Sequence, residues 1–242
     1  MTPRFFCRIP LAAGAEVALP KEAAHHAVRV LRLVAGDVVT LFDGNGGEYL
    51  AQLCRTGHTV VARIEAHRAI ERESSLSIVL IQSLATADRM DAAIRKSVEL
   101  GVAAIVPVTS ARSVSRLDPK RALARVEHWR QIAVAACEQC GRNRLPRLYP
   151  ARDLREWLRA PSTASLRLLA APDAAHGLAQ FARPAGSIEL LVGPEGGLTP
   201  DEADAAIAAG FHAVRLGPRI LRTETVGPAA LAAMNALWGD WR

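Results

Sequence analysis

Two segments of this chain combine residue types that could do chemistry: Gly193-Pro194-Glu195-Gly196-Gly197, and "LGPRILRTET" from Leu216 to Thr225. Glycine-rich main chain lets a ligand lie against the backbone and pair with its N–H and C=O groups. A strand-to-helix turn needs fewer glycines than the first segment carries, so it reads as a ligand loop. Its glutamate would repel a polyphosphate, which favours a ligand with an uncharged or cationic part. Neither G-x-x-x-x-G-K-[ST] nor G-x-G-x-x-G occurs, so the lysine and hydroxyl of a phosphate-binding loop are missing. In the second segment Arg219, Arg222 and Glu224 fit either a binding loop or a solvated ion-pair network.

The flanking residues say what holds these segments. "IELLV" (188–192) reads as a buried strand. Thr199, Pro200 and Glu202 make a helix start, with threonine as cap, proline first and glutamate closing a capping box. "AVRLG" (213–217) is a strand before the second segment, and the last helix is predicted to start near Thr225, which puts Pro228 where no helical N–H is required. Upstream, "LSIVLIQ", "DRMDAAIRKSVELG" and "VAAIVPV" form a βαβ unit with parallel strands and Gly101 as helix stop. Asp118 and Pro119 open a helix that ends at Gly141, and "LRLLAA" (166–171) adds a strand. The fold class predicted is α/β with a mainly parallel sheet, whose two strand-end loops share one edge and could clasp one flat ligand.

The first 73 residues read differently. Two apolar runs flank Asp43-Gly44-Asn45-Gly46-Gly47, a hairpin signal, and "HTVVARIEAH" (58–67) is a third strand. "KEAAHHAVRVLRL" is predicted to be an amphipathic helix, with His25 and His26 about 100° apart as a surface pair. "ERESS" (71–75) is a linker, so domains of 1–73 and 74–242 are expected.

Composition narrows the class. Of 242 residues half are apolar, and the formal charge of +6 divides into +1 over residues 1–75, +7 over 76–159 and −2 over 160–242. A basic middle suggests a polyanionic partner, because arginine forks pair with phosphates. Glu138, Gln139, Arg142 and Arg144, in "EQCGRNRLP", crowd a helix end in that stretch and read as substrate-facing. Four scattered cysteines make no disulfide framework, and the CxxC of Cys137 and Cys140, near a helix end and without a second pair for zinc, reads as helix packing; no metal is expected. No apolar run reaches the roughly 18 residues of a membrane span, and a cytoplasmic address is expected.

"GPEGG" followed by "LGPRILRTET", with "RMDAAIRKSVELGV", "CEQCGRNRLP", "RFF", "HHAVRVLR" and "GDVVTLFDGNGGEY" ahead of them, resembles the RsmE-type 16S ribosomal RNA uridine-N3 methyltransferases of the SPOUT superfamily across essentially the whole chain. That family usually has alanine at the place of Val226 and a longer apolar residue at that of Ala27. The resemblance implies a C-terminal trefoil knot, a small N-terminal PUA-like β-barrel that docks on RNA, and a homodimer whose partner chain completes each site. It implies S-adenosylmethionine against Leu169, Ala170, Gly193, Pro194, Glu195, Gly196, Gly197, Leu216, Gly217, Ile220, Leu221 and Thr225. For methylation at uridine N3, Arg222 would stabilise negative charge on the base, with Glu224 orienting it or helping to remove the proton; Arg142 or Arg144 of a facing chain could hold the arginine's role. Another RNA such as tRNA, an RNA-binding assembly factor without chemistry, and a nucleotide-binding α/β hydrolase remain alternatives.

Overall fold

The computed structural model describes residues 2–55, 59–113 and 119–241. They divide into two compact units, one of residues 1–73 with 134–145, the other of 74–133 with 146–242. The cap expected at Asp118 lies outside the described residues.

In the first unit, strands β1 (Arg4–Phe6), β2 (Glu16–Ala18), β3 (Val38–Phe42), β4 (Glu48–Arg55) and β5 (Val61–Arg68) form a sheet in the order β1-β3-β4-β5-β2. The hairpin predicted at residues 43–47 joins β3 to β4, which pair antiparallel. Alternating inward residues, Leu41, Ala51, Leu53 and Ile64 among them, bury a core with Phe5 and Val17. The helix expected over "KEAAHHAVRVLRL" is cut short. Helix α1 covers Lys21–His25, a π turn follows at His26–Val30, and Arg32 turns to a φ of 56°. The wider turn lets the Leu31 and Leu33 N–H groups reach the carbonyls of His26 and Ala27, so apolar spacing alone overestimated the helix.

The second unit is a parallel sheet with helices. Its strands are β6 (Ile78–Ser83), β7 (Ala104–Thr109), β8 (Arg147–Leu148), β9 (Arg152–Asp153), β10 (Leu166–Ala170), β11 (Ile188–Val192) and β12 (His212–Val214). The order is β12-β10-β11-β6-β7-β8, with β9 also on β7, and every pairing is parallel. Helix α2 (Ala87–Glu99) closes the predicted βαβ unit; α3 (Pro119–Cys140), whose residues from 134 on belong to the first unit, α4 (Leu154–Arg159), α5 (Pro200–Ala208) and α6 (Thr223–Trp238) follow. Continuous apolar strands suit a sheet covered on both faces. Ile81, Val106, Leu169 and Leu191 pack under Leu154, Ala206 and Phe211, while α6 packs on α2 and against β6 and β11. Because all strands run one way, the turns after β6, β10, β11 and β12 share an edge, where open α/β sheets hold ligands.

Candidate functional site

That edge carries a cleft of about 900 Å³. Its apolar wall includes Leu169, Ala170, Val192, Leu198, Leu221 and Val226, and the glycine loop after β11 supplies main-chain groups. The loop is held from several directions. Gly197 takes a φ of 69° and its N–H closes a turn on Pro194. The Thr199 hydroxyl accepts from the Glu202 N–H at 3.3 Å, while Glu202 Oε2 accepts from the Thr199 N–H at 2.9 Å. This is the predicted capping box. The other Glu202 oxygen accepts the Ala111 N–H at 2.7 Å. Arg112 donates to the Gly196 carbonyl at 3.0 Å, and the Thr223 hydroxyl to that of Gly193 at 2.7 Å. Gln82 in turn donates to the Thr223 oxygen at 3.0 Å.

This last chain of bonds explains a difference from the sequence-based expectation. Helix α6 begins at Thr223 with Arg222 as its cap, two residues before Thr225, and carries Pro228 inside the helix. The Arg222 side chain makes no capping bond. Long-range ties of Thr223 to Gly193 and Gln82 fix the start instead. The strand before it is likewise shorter than expected, ending at Val214, because the Arg215 N–H is drawn to the His176 carbonyl.

Leu169, Ala170, Gly193 to Gly197, Ile220 and Leu221 line the cleft, and Leu216 and Gly217 line a small adjoining pocket that shares Ala170 and Leu221. Thr225 lines neither and is exposed on the first turn of α6. Arg222 lines the cleft and is exposed. Glu224 reaches the cleft through Arg89, a residue singled out only as part of a motif: Arg89 Nε lies 3.8 Å from Glu224 Oε2, and Arg89 Nη1 lies 3.1 Å from Glu195 Oε1. The Thr86 N–H also donates to Glu195 Oε1, at 3.2 Å. Glu195 Oε2 and Glu224 Oε2 are buried without a hydrogen-bond donor among the described residues.

The four residues read as substrate-facing belong to the first unit and split into two kinds. Gln139 and Arg144 are exposed. Arg142 is buried on Glu73, with Nη2 2.5 Å from a carboxylate oxygen. Glu138 accepts the Phe6 N–H at 2.9 Å, and burial pushes its carboxyl above the usual range despite that bond. These two side chains tie the segment down. Arg4, which sequence reasoning passed over, bonds Glu48, Asn143 and the Arg142 carbonyl in the same unit. The Cys137 thiol is pushed up to about 12 by burial, so it is a packed thiol, as the helix-packing reading requires. No helix among the described residues is long and apolar enough to cross a membrane.

A family model described as an RNA methyltransferase domain matches residues 72–235, and one described as an RNA methyltransferase PUA domain matches residues 19–65. The ribosomal RNA small subunit methyltransferase E of Bacillus subtilis is 32% identical over 88% of this chain and 87% of its own. The crystal structure of the Neisseria gonorrhoeae protein of that name, bound to S-adenosyl methionine, is 43% identical over all of both chains, with a TM-score of 0.93. A Legionella pneumophila protein in complex with the bound cofactor SAM is 34% identical over 99% of both chains, with a TM-score of 0.96.

Proposed function

The chain belongs to the RNA methyltransferase family whose domain spans residues 72–235, and from that premise we propose that it transfers a methyl group from S-adenosylmethionine to N3 of a uridine in small-subunit (16S) ribosomal RNA. One observation carries the reading. The two strand-end loops converge on one cleft and are tied together through the Thr223–Gly193 bond.

The residues present fit the cofactor. The cleft's volume lies within the roughly 300–1,000 Å³ of small-molecule sites, and it pairs apolar walls with a few convergent polar groups. Gly193 leaves little room for a side chain, since a Cβ there would sit 3.3 Å from the Leu198 N, closer than most such contacts. The carboxylate of Glu195 suits a cationic ligand better than a polyphosphate. Leu169, Ala170, the 193–197 loop and the Leu216–Leu221 stretch would hold the cofactor. When bound, it supplies an electrophilic methyl group on a sulfonium centre.

The chain's own residues then do three things. The two tied loops restrict the geometry of approach, which supplies part of the rate. Arg222 presents a guanidinium at the cleft, where it would donate to the pyrimidine carbonyl oxygens as negative charge develops on the base. Glu224 keeps a carboxylate oxygen without a donor among the described residues and would accept the N3 proton as the base is alkylated. The target base has to leave any stack to reach them.

The same reading takes the unit formed largely by residues 1–73 as the RNA-docking, PUA-like part, Gln139 and Arg144 as substrate-facing, the C-terminal segment as knotted, and the enzyme as a cytoplasmic homodimer. The Gln82–Thr223–Gly193 chain of bonds supports the knot, because it ties the first residue of α6 to both β6 and the loop after β11.

The direct test is transfer of labelled methyl groups to small-subunit particles, free small-subunit RNA and tRNA, followed by mapping of modified uridines. Labelling of small-subunit RNA at one uridine N3 is expected; labelling of tRNA alone, or none, would overturn the reading. Arg222→Ala should lower single-turnover methylation by about a hundredfold or more, and an unchanged rate would remove it from the mechanism. If about five phosphates are neutralised, log affinity for RNA should fall with log salt at a slope of roughly −3.5 to −4.5.

A further inference from the structure

Arg89 occupies the first turn of α2, where a cation opposes the helix dipole. The helix does not favour it there; two carboxylates from distant segments do. Glu195 of the glycine loop and Glu224 of α6 both lie within ion-pair reach of its guanidinium. The three side chains are partly buried, and their formal charges sum to −1. Each glutamate keeps one buried oxygen with no hydrogen-bond donor among the described residues. The cluster thus neutralises one acid and leaves the other as a negative charge beside the cleft. The remaining charged residues on the lining, Arg112, Asp173 and Arg222, are exposed to water that screens them.

We propose that the Glu195–Arg89–Glu224 cluster is the charge-specificity determinant of the cleft: it makes the cleft hold a cationic ligand more tightly than a neutral one of similar shape, and Arg89 sets the size of that preference. The inference rests on the reading of the cleft as the S-adenosylmethionine site. The cationic ligand is then the methyl donor, and the neutral one is the thioether product left after transfer. A cluster of charge −1 attracts the sulfonium; once the methyl group has left and Glu224 has passed the N3 proton to water, the same cluster faces a neutral thioether, so the spent cofactor is released in preference to the fresh one.

Equilibrium binding of S-adenosylmethionine and S-adenosylhomocysteine, measured by calorimetry at low salt, tests this without any turnover. Glu195→Gln and Glu224→Gln each remove a negative charge with little change of shape. The ratio of donor to product affinity should fall roughly three- to tenfold in each, the effect of one charge in a half-solvated site. Arg89→Met leaves two uncompensated acids, and the ratio should rise by a similar factor. Both trends should flatten toward 1 M salt, where the screening length shrinks to about 3 Å. Ratios within twofold of wild type in both glutamine variants, or an equal loss of affinity for both ligands, would overturn the proposal even if Arg89→Met failed to fold. A wild-type chain that binds neither ligand at roughly millimolar concentration would instead overturn the cofactor reading beneath it.

Discussion

The two loops that meet at the cleft are built in opposite ways. The one after β11 is anchored by Arg112, Thr223 and Arg89, closed by a turn and followed by a helix with a complete capping box. The one after β12 has Gly217, Pro218, Arg219 and Ile220 exposed, Ile220 by 85%, and leads into a helix whose cap makes no side-chain bond. One wall of the cleft is preorganised by the chain itself. The other is held at its far end by Thr223 and leaves apolar surface bare, as expected of a wall completed by what binds there.

Removing the tie between the walls should have the largest effect. Thr223→Val keeps the shape of a buried side chain but loses both the bond to the Gly193 carbonyl and the one from Gln82. A part-buried acceptor left unpaired costs toward the lower end of about 1–3 kcal/mol, to which the second lost bond adds. For a chain of this size the thermal midpoint should fall by about 5 to 10 °C. Calorimetry should show affinity for S-adenosylmethionine falling at least roughly tenfold, about 1.4 kcal/mol. A variant with wild-type midpoint and affinity would mean that the loops are independent.

Gly197 and Gly217 allow a closer comparison, since each has a positive φ, 69° and 83°, and open space where a Cβ would stand. Alanine therefore brings backbone strain alone, about 1–2 kcal/mol. In the anchored loop the chain cannot relax, and Gly197→Ala should show the full cost in denaturant unfolding. In the exposed loop it can, and Gly217→Ala should cost less, about 0.5 kcal/mol. Equal costs would show that the second loop is as rigid as the first.

The same contrast explains what could be read from the residues alone. The capping box at Thr199 and Glu202 is written in four consecutive residues, so α5 and the loop before it were legible. The parallel sheet was legible because buried strands are apolar throughout. The start of α6 was not, because Thr223 is fixed by partners in β6 and the loop after β11. Arg89 escaped notice as a site residue for the same reason, its acids lying far along the chain. Arg142 looked substrate-facing by type and neighbourhood, and only its burial on Glu73 shows its work within the first unit. The grouping of residues 134–145 with residues 1–73 has no local signal either, since it depends on contacts between distant segments.

The smallest expected effect on stability is the most specific test of the bare wall. Ile220 is 85% exposed and lines the cleft, so Ile220→Ser removes almost no buried area, and the midpoint in the absence of ligand should stay within the equivalent of about 0.5 kcal/mol. Burying a whole isoleucine contributes about 1.5–3 kcal/mol, and a bound cofactor would cover only part of it. Calorimetric affinity for S-adenosylmethionine should then fall about three- to tenfold while stability stays put. If affinity is unchanged but self-association weakens in sedimentation, the residue faces a second protein chain rather than the cofactor. That outcome would leave the anchored loop as the only wall of the cofactor site and make the second loop an interface element.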